Sequence, residues 1–149
     1  PEYQLIIYGA GPDEKRICDL NEDLNIAEKV KMAGNTLTAQ ASIREAGMFV
    51  LSSDFEGIPN SLIEAMVIGL PCVSTDCSPG GARLLIRHHE NGLLSPVGNI
   101  EQLAANMAWM AEHPKEAEKM GQEAKRITDV FSEERISKMW SEYVETVVS

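Results

Sequence analysis

The sequence is short of positive charge. Its 13 Lys and Arg stand against 23 Asp and Glu, a formal net charge of −10. Nucleic-acid binding rests on neutralising phosphates with basic side chains, so that class is excluded. Electrostatic docking on an anionic membrane is disfavoured for the same reason. No apolar run reaches the ~18 residues of a membrane span, and no charged-then-apolar leader opens the chain. Cysteine is scarce. Cys18, Cys72 and Cys77 are odd in number, and Cys72-x4-Cys77 lacks the second pair or the histidines of a zinc site. They are expected to be free thiols in a reducing compartment, and no metal site is expected. His88 and His89, beside Arg87 and Glu90 and just before Asn91-Gly92, read as a solvated turn. No Gly-Lys-Ser/Thr phosphate loop and no Gly-x-Ser-x-Gly elbow occur, which argues against a P-loop enzyme and an esterase. There is no internal repeat, low-complexity tract or dividing linker. The chain opens at Pro1 rather than Met, which suggests processing or a piece of something longer.

What is present is a globular composition, 44% hydrophobic and 24% charged over 149 residues. That is one domain of ordinary size, with enough chain to bury a core. Short apolar runs alternate with longer amphipathic stretches. Strands are expected at 4–9, 29–34, 48–53 and 71–76, with a short fifth at 92–97. Helices are expected at 12–25, 37–46 (capped by Thr36 or Thr38) and 61–69. Three more helices follow, with apolar stripes through Ile100–Ala111, Ala117–Ile127 and Ile136–Val147 that read as core or packing surface. Strands with little internal alternation are buried on both faces. The fold expected is therefore α/β, a doubly wound parallel sheet with helices on both faces. Ligands bind such sheets beyond the carboxyl ends of the strands. That rule selects the loops at 9–12, 52–60 and 76–82.

The first loop, "GAGPDE", fails the dinucleotide fingerprint, because Glu14 stands where the third Gly is needed. It reads as a tight strand-to-helix turn. The second, "DFEGIPNSLIEAM", supports two readings. Ser61-Leu62-Ile63-Glu64 matches a capping box, with Asn60 an equal candidate for the cap, which would make Glu64 structural and Glu56 a solvated acid. The same atoms suit a ligand. A helix N-terminus offers free N–H groups and the positive end of a dipole to a diphosphate. Gly57 admits close backbone approach, one carboxylate can hold a ribose diol, and the other a hexose. The third loop, "TDCSPGGARLLI", is either a plain connection or a lining of the same cleft.

The run "SSDFEGIPNSLIEAMVIGLPCVSTDCSPGGARLLIRHHENGLLSPVGN" resembles the C-terminal domain of retaining GT-B glycosyltransferases, the large family-four group. The two glutamates separated by seven residues match in register. So do the Glu-Gly-aliphatic-Pro-Asn loop, Glu-Ala-Met, Gly-Leu-Pro-x-Val, Gly-Gly and Asn-Gly-Leu-Leu. "YGAGPDE", "VKMAG" and a closing helix at 131–149 with Trp140 and Tyr143 fit in order, so the likeness covers essentially all 149 residues. It implies residues 1–149 as a Rossmann-like donor domain, the C-terminal half of a GT-B fold truncated at its N-terminus. The implied activity is transfer of a hexose from a nucleotide-sugar to a saccharide or lipid-linked acceptor in surface polysaccharide or glycolipid synthesis.

By the resemblance, Glu64 holds the ribose and Glu56 is the catalytic carboxylate near the reacting carbon. Backbone N–H groups of Gly57, Ile58, Asn60 and Ser61 line the sugar and phosphates, and Pro59, which cannot donate, shapes the loop. Gly9, Gly11, Met32, Ala33, Gly34, Gly80 and Gly81 line the base or the cleft. The implied substrate is a UDP- or GDP-hexose, with no tightly bound cofactor and no metal. The implied partner is an acceptor domain of the same chain, N-terminal to this one. The setting is cytoplasmic, with any attachment to the inner face of the membrane in that missing half. Two departures matter. The basic pair that grips the diphosphate would lie upstream of Pro1, so the isolated chain is expected to be inactive. Leu84 stands where many members carry an acid. Other readings are a GT-B-fold sugar-nucleotide epimerase and a non-catalytic binding domain.

Overall fold

The computed structural model describes residues 3–36 and 39–148. The chain divides into two compact units, residues 1–42 and 43–149.

In the first unit, β1 (Leu5–Tyr8) pairs in parallel with β2 (Val30–Gly34), Leu5 opposite Val30 and Ile7 opposite Met32. Between them run α1 (Glu14–Asp23) and a 3₁₀ turn (Ala27–Lys29). Pro12 and Asp13 lie in the turn before α1, so the helix starts later than the proline suggested. The expectation that β1 is buried is not met. Leu5 and Ile6 are 41% and 43% exposed. A two-stranded sheet with one substantial helix cannot cover both faces of an apolar strand. The chain division falls within α2 (Ala39–Ile43). Thr38, a candidate cap for that helix, lies outside the described residues.

The second unit contains β3 (Phe49–Leu51), β4 (Phe55–Glu56), α3 (Asn60–Ile68), β5 (Cys72–Thr75), β6 (Ser78–Pro79), α4 (Gly81–Leu85) and β7 (Leu93–Ser95). Helices α5 (Ile100–Glu112), α6 (Pro114–Ala124), α7 (Ile127–Val130) and α8 (Glu133–Val148) follow. Strands β3, β5 and β7 form a parallel sheet with β5 in the middle. Every residue of β5 is buried. Successive side chains of a strand point to opposite faces, and the packing follows that alternation. Cys72 joins Leu62, Met66, Leu85, Ile86 and Ile127, and its thiol pKa is pushed up to about 12 by burial. Its neighbour Val73 joins Leu93, Met110, Ala117 and Met120. Helices thus cover both faces of a parallel sheet, as α/β architecture requires.

The stripe expected from Ala117 to Ile127 is broken in two. Helix α6 ends at Ala124, and Ile127 opens α7. Ala117 and Met120 serve one face of the sheet, Ala124 and Ile127 the other. Helix α3 ends at Gly69 in the left-handed conformation (φ 84°), and the Leu70 N–H returns to the Ala65 carbonyl at 3.0 Å. Helix α6 packs directly on that ending. A Cβ at Gly121 would stand 2.2 Å from the Gly69 carbonyl oxygen and 3.1 Å from the Leu70 carbonyl carbon. Backbone cannot step aside as a side chain can. Gly121→Ala is therefore expected to cost about 3 kcal/mol or more, read as a drop in the urea midpoint. Unchanged unfolding would overturn this account of the helix contact.

The turn at 87–91 is more built than the sequence indicated. Buried Asn91 accepts the Arg87 N–H (2.7 Å) and donates to the Leu85 carbonyl (3.1 Å). His88 Nδ1 accepts the Leu94 N–H at 2.9 Å, tying the turn to β7. Desolvation, and then the neighbouring His89, hold the His88 pKa below its usual value. Helix α8 has no buried residue, and Trp140 is 64% exposed, so its apolar stripe is uncovered among the described residues. No described helix is long and apolar enough to cross a membrane.

Candidate functional site

The two sequence-selected loops of the second unit are joined by a ladder that the sequence did not announce. Strand β4 pairs in parallel with β6, Phe55 opposite Ser78 and Glu56 opposite Pro79. Directly after it, Gly81 lies against the backbone of the loop at Gly57 and Ile58. A Cβ at Gly81 would fall 1.5 Å from the Gly57 carbonyl oxygen and 3.0 Å from the Ile58 Cα. Only a residue without a side chain allows that approach. "EGIPN" and "SPGG" therefore form one surface beyond the carboxyl ends of β3 and β5.

Glu56 is set within that surface. The Thr75 hydroxyl, at the end of β5, donates to the Ser53 carbonyl. The Ser53 hydroxyl donates to Glu56 Oε1 at 3.0 Å. This chain of hydrogen bonds anchors a half-buried carboxylate to the central strand while leaving it acceptor capacity.

The capping box offered as one reading of Glu64 is absent. Helix α3 begins at Asn60, with Pro59 at the N-cap in an extended conformation and no side-chain cap. Asn60 and Ser61 are thus helical residues and exposed, and the capping box does not form. Pro59 is buried, and its fixed φ pre-sets the helix entry two residues too early for Ser61 to cap. The N–H groups of Leu62 and Ile63 reach back to the Pro59 carbonyl (3.1 and 3.2 Å). Those of Asn60 and Ser61 have no intrahelical acceptor. Glu64, one turn along and half-buried, has no hydrogen bond or ion pair among the described residues.

In the first unit, Gly9 meets the end of β2, and Gly11 lies in the turn before α1, where its carbonyl accepts the Glu14 N–H at 3.2 Å. The Gly9 N–H donates to the Gly34 carbonyl at 3.0 Å. Met32, Ala33 and Gly34 are themselves strand residues, half-buried, rather than a loop. The expected residues therefore fall into two groups. Gly9, Gly11 and Met32–Gly34 lie in one unit; Glu56–Ser61, Glu64, Gly80 and Gly81 lie in the other. Sequence reasoning missed the tie from Ser53 and Thr75. It also missed Asp76 and Arg83, which flank the Gly-Gly turn and meet as an ion pair. Their signal was an acid and a base bracketing a tight turn at a strand's carboxyl end.

The family described as Glycosyl transferases group 1 matches residues 1–127. The chain belongs to the group 1 glycosyl transferases. Within the family it is 30% identical over 140 residues to an uncharacterized glycosyltransferase of Haemophilus influenzae, covering 94% of this chain and 39% of the relative. It is 34% identical over 110 residues to the lipopolysaccharide 1,6-galactosyltransferase of Salmonella typhimurium, covering 71% of this chain and 30% of the relative. The solved structure of TarM superposes with a TM-score of 0.85 at 29% identity, over 93% of this chain and 28% of that one. A second TarM structure, with fondaparinux, α-GlcNAc-glycerol and UDP bound, superposes at 0.86. This group 1 glycosyl transferase sequence thus spans well under half the length of each of these relatives. The fold is the GT-B kind of α/β architecture expected from the sequence.

Proposed function

We propose that this chain is the donor-binding part of a retaining glycosyltransferase that moves a hexose from a nucleotide-sugar to a saccharide or lipid-linked acceptor. The carrying observation is Glu64, a half-buried carboxylate without a partner among the described residues, one turn inside a helix whose first amides are uncapped. That pairing suits a ribose diol beside a diphosphate. The diphosphate takes the N–H groups of Asn60 and Ser61 at the positive end of the helix dipole. The amides of Gly57 and Ile58 face the sugar. Gly80 and Gly81 line the cleft.

Glu56, fixed by Ser53, stabilises charge at the anomeric carbon and orients the hexose hydroxyls. The bond from that carbon to the diphosphate oxygen breaks as the acceptor oxygen attacks on the same face. The leaving phosphate takes the acceptor's proton. The nucleotide-sugar is a substrate, and no tightly held cofactor is required. The acceptor domain and the basic pair for the diphosphate belong to the rest of a longer protein, so the isolated chain binds donor weakly and turns nothing over. The setting is cytoplasmic polysaccharide or glycolipid assembly. TarM, a relative of similar fold, has been solved with UDP and a glycosylated glycerol.

The test is calorimetric titration of the full-length protein with UDP, GDP and ADP, repeated with Glu64→Gln. One nucleotide should bind saturably. The variant should melt at the same temperature and bind that nucleotide about 10- to 100-fold more weakly, the loss of hydrogen bonds to a charged group. No binding of any nucleotide, or equal binding by the variant, would overturn the assignment.

A further inference from the structure

Strand β3 ends at Leu51, opposite Ser74 of β5, and the pairing of the two strands stops there. The Ser53 carbonyl lies two residues past that last pair. The Thr75 hydroxyl donates to it, so a side chain carries the ladder one step beyond its end. Thr75 is held from the other side as well, where it lies opposite Ser95 of β7. It is 4% exposed, which shields its hydroxyl from competition by water.

The second step runs from Ser53 to Glu56 Oε1, at 3.0 Å. The carboxylate makes no other hydrogen bond or ion pair among the described residues. Oε2 therefore keeps its full acceptor capacity. The Glu56 backbone is held separately, by pairing with Pro79 in the β4–β6 ladder. That pairing fixes the Cα but leaves the torsions of a long side chain free, and ordering them costs entropy. The Ser53 hydroxyl restrains them at the far end. The contrast with Glu64 is chemical. Glu64 has two uncommitted oxygens, which suit a vicinal diol. Glu56 has one oxygen committed and one presented, which suits a single hydroxyl or a single developing charge.

We propose that Ser53 and Thr75 are positioning residues for Glu56: Thr75 fixes the Ser53 backbone, Ser53 holds Oε1, and Oε2 is presented to the reacting sugar. Neither residue touches the substrate. The relay orders the carboxylate when the chain folds rather than when the transition state forms, as preorganised electrostatic stabilisation requires. Its signature is a loss in kcat with donor KM unchanged. A hydroxyl that merely shaped the loop would move stability and KM together. The effect on turnover rests on the glycosyl-transfer reading; the holding of the carboxylate does not.

The test measures nucleotide release by the full-length protein from UDP-glucose, UDP-galactose, UDP-N-acetylglucosamine and GDP-mannose. Ser53→Ala should lower kcat about tenfold, the effect of a misplaced catalytic group, with donor KM and melting temperature unchanged. Ser53→Thr, which keeps a hydroxyl on the same carbon, should restore most of the rate. Thr75→Val should lose kcat as Ser53→Ala does, and Thr75→Ser should not. Once the carboxylate is removed there is nothing to position, so adding Ser53→Ala to Glu56→Ala should slow the enzyme no further. Full kcat in Ser53→Ala, or a further loss in the double variant, would overturn the relay. A crystal structure of the Ser53→Ala protein decides the holding without any substrate. The Glu56 carboxylate should leave its place, and a carboxylate that stays overturns the proposal. A blank with all four donors, or a normal kcat in Glu56→Ala, strikes the glycosyl-transfer reading instead, and the structure of the variant still decides the relay.

Discussion

Gly81→Ala is expected to lower the melting temperature by about 10 °C, from a cost of about 3 kcal/mol or more. Nucleotide binding should fall below detection in the same variant. A Cβ there would sit 1.5 Å from the Gly57 carbonyl oxygen, so one of two backbones must move. The backbone that moves is either the wall of the β4–β6 ladder or the loop carrying Glu56, and both are proposed to shape the donor pocket. Gly57→Ala is the matched control, because a Cβ at that position meets nothing within 4 Å. It should melt within about 1 °C of wild type. Circular-dichroism melts of the two variants side by side decide the matter. A Gly81→Ala protein as stable as Gly57→Ala would mean that the two loops are not packed as described.

Glu56→Gln in the full-length enzyme is expected to reduce kcat by about 10²–10³-fold, the loss found when one group aimed at developing charge is removed. Gln keeps the shape and still accepts the Ser53 hydroxyl, so melting temperature should not change. Nucleotide affinity should stay within about threefold, because the nucleotide is assigned to Glu64 and the helix amides. The two glutamates thus predict opposite kinetic signatures. Glu56→Gln lowers kcat with little change in donor KM, whereas Glu64→Gln raises donor KM first. A Glu56→Gln enzyme with normal kcat and a raised KM would exchange the two roles.

The alternation of short apolar runs with amphipathic stretches was enough to place β3, β5, β7 and α3 within a residue or two, because a strand buried on both faces has no polar side to blur its signal. The same cue misled at β1. Its apolar run is as strong as that of β5, yet it lies in a two-stranded sheet and stays half exposed. Hydrophobicity records what a strand can bury, not what lies beside it. The β4–β6 ladder was not legible, because a two-residue strand ending in proline has no period to detect. The start of α3 was misplaced by one residue, and that residue mattered. Ser61 and Glu64 carry the spacing of a capping box, but the preceding proline takes the cap position, which no spacing rule weighs. The stripe through α6 and α7 showed the converse limit, since an unbroken apolar face in sequence was divided between the two faces of the sheet.

The ladder between Phe55–Glu56 and Ser78–Pro79, closed by the contact of Gly81 on Gly57, has a consequence for breathing motions. Neither loop can open by itself. Lifting "EGIPN" away from the sheet breaks its bonds to β6 and exposes the glycine floor, so "SPGG" is released in the same event. In solvent exchange of the backbone amides, the two segments should therefore share one opening free energy, as a single cooperative patch. A molecule that clamps either loop would slow exchange in both.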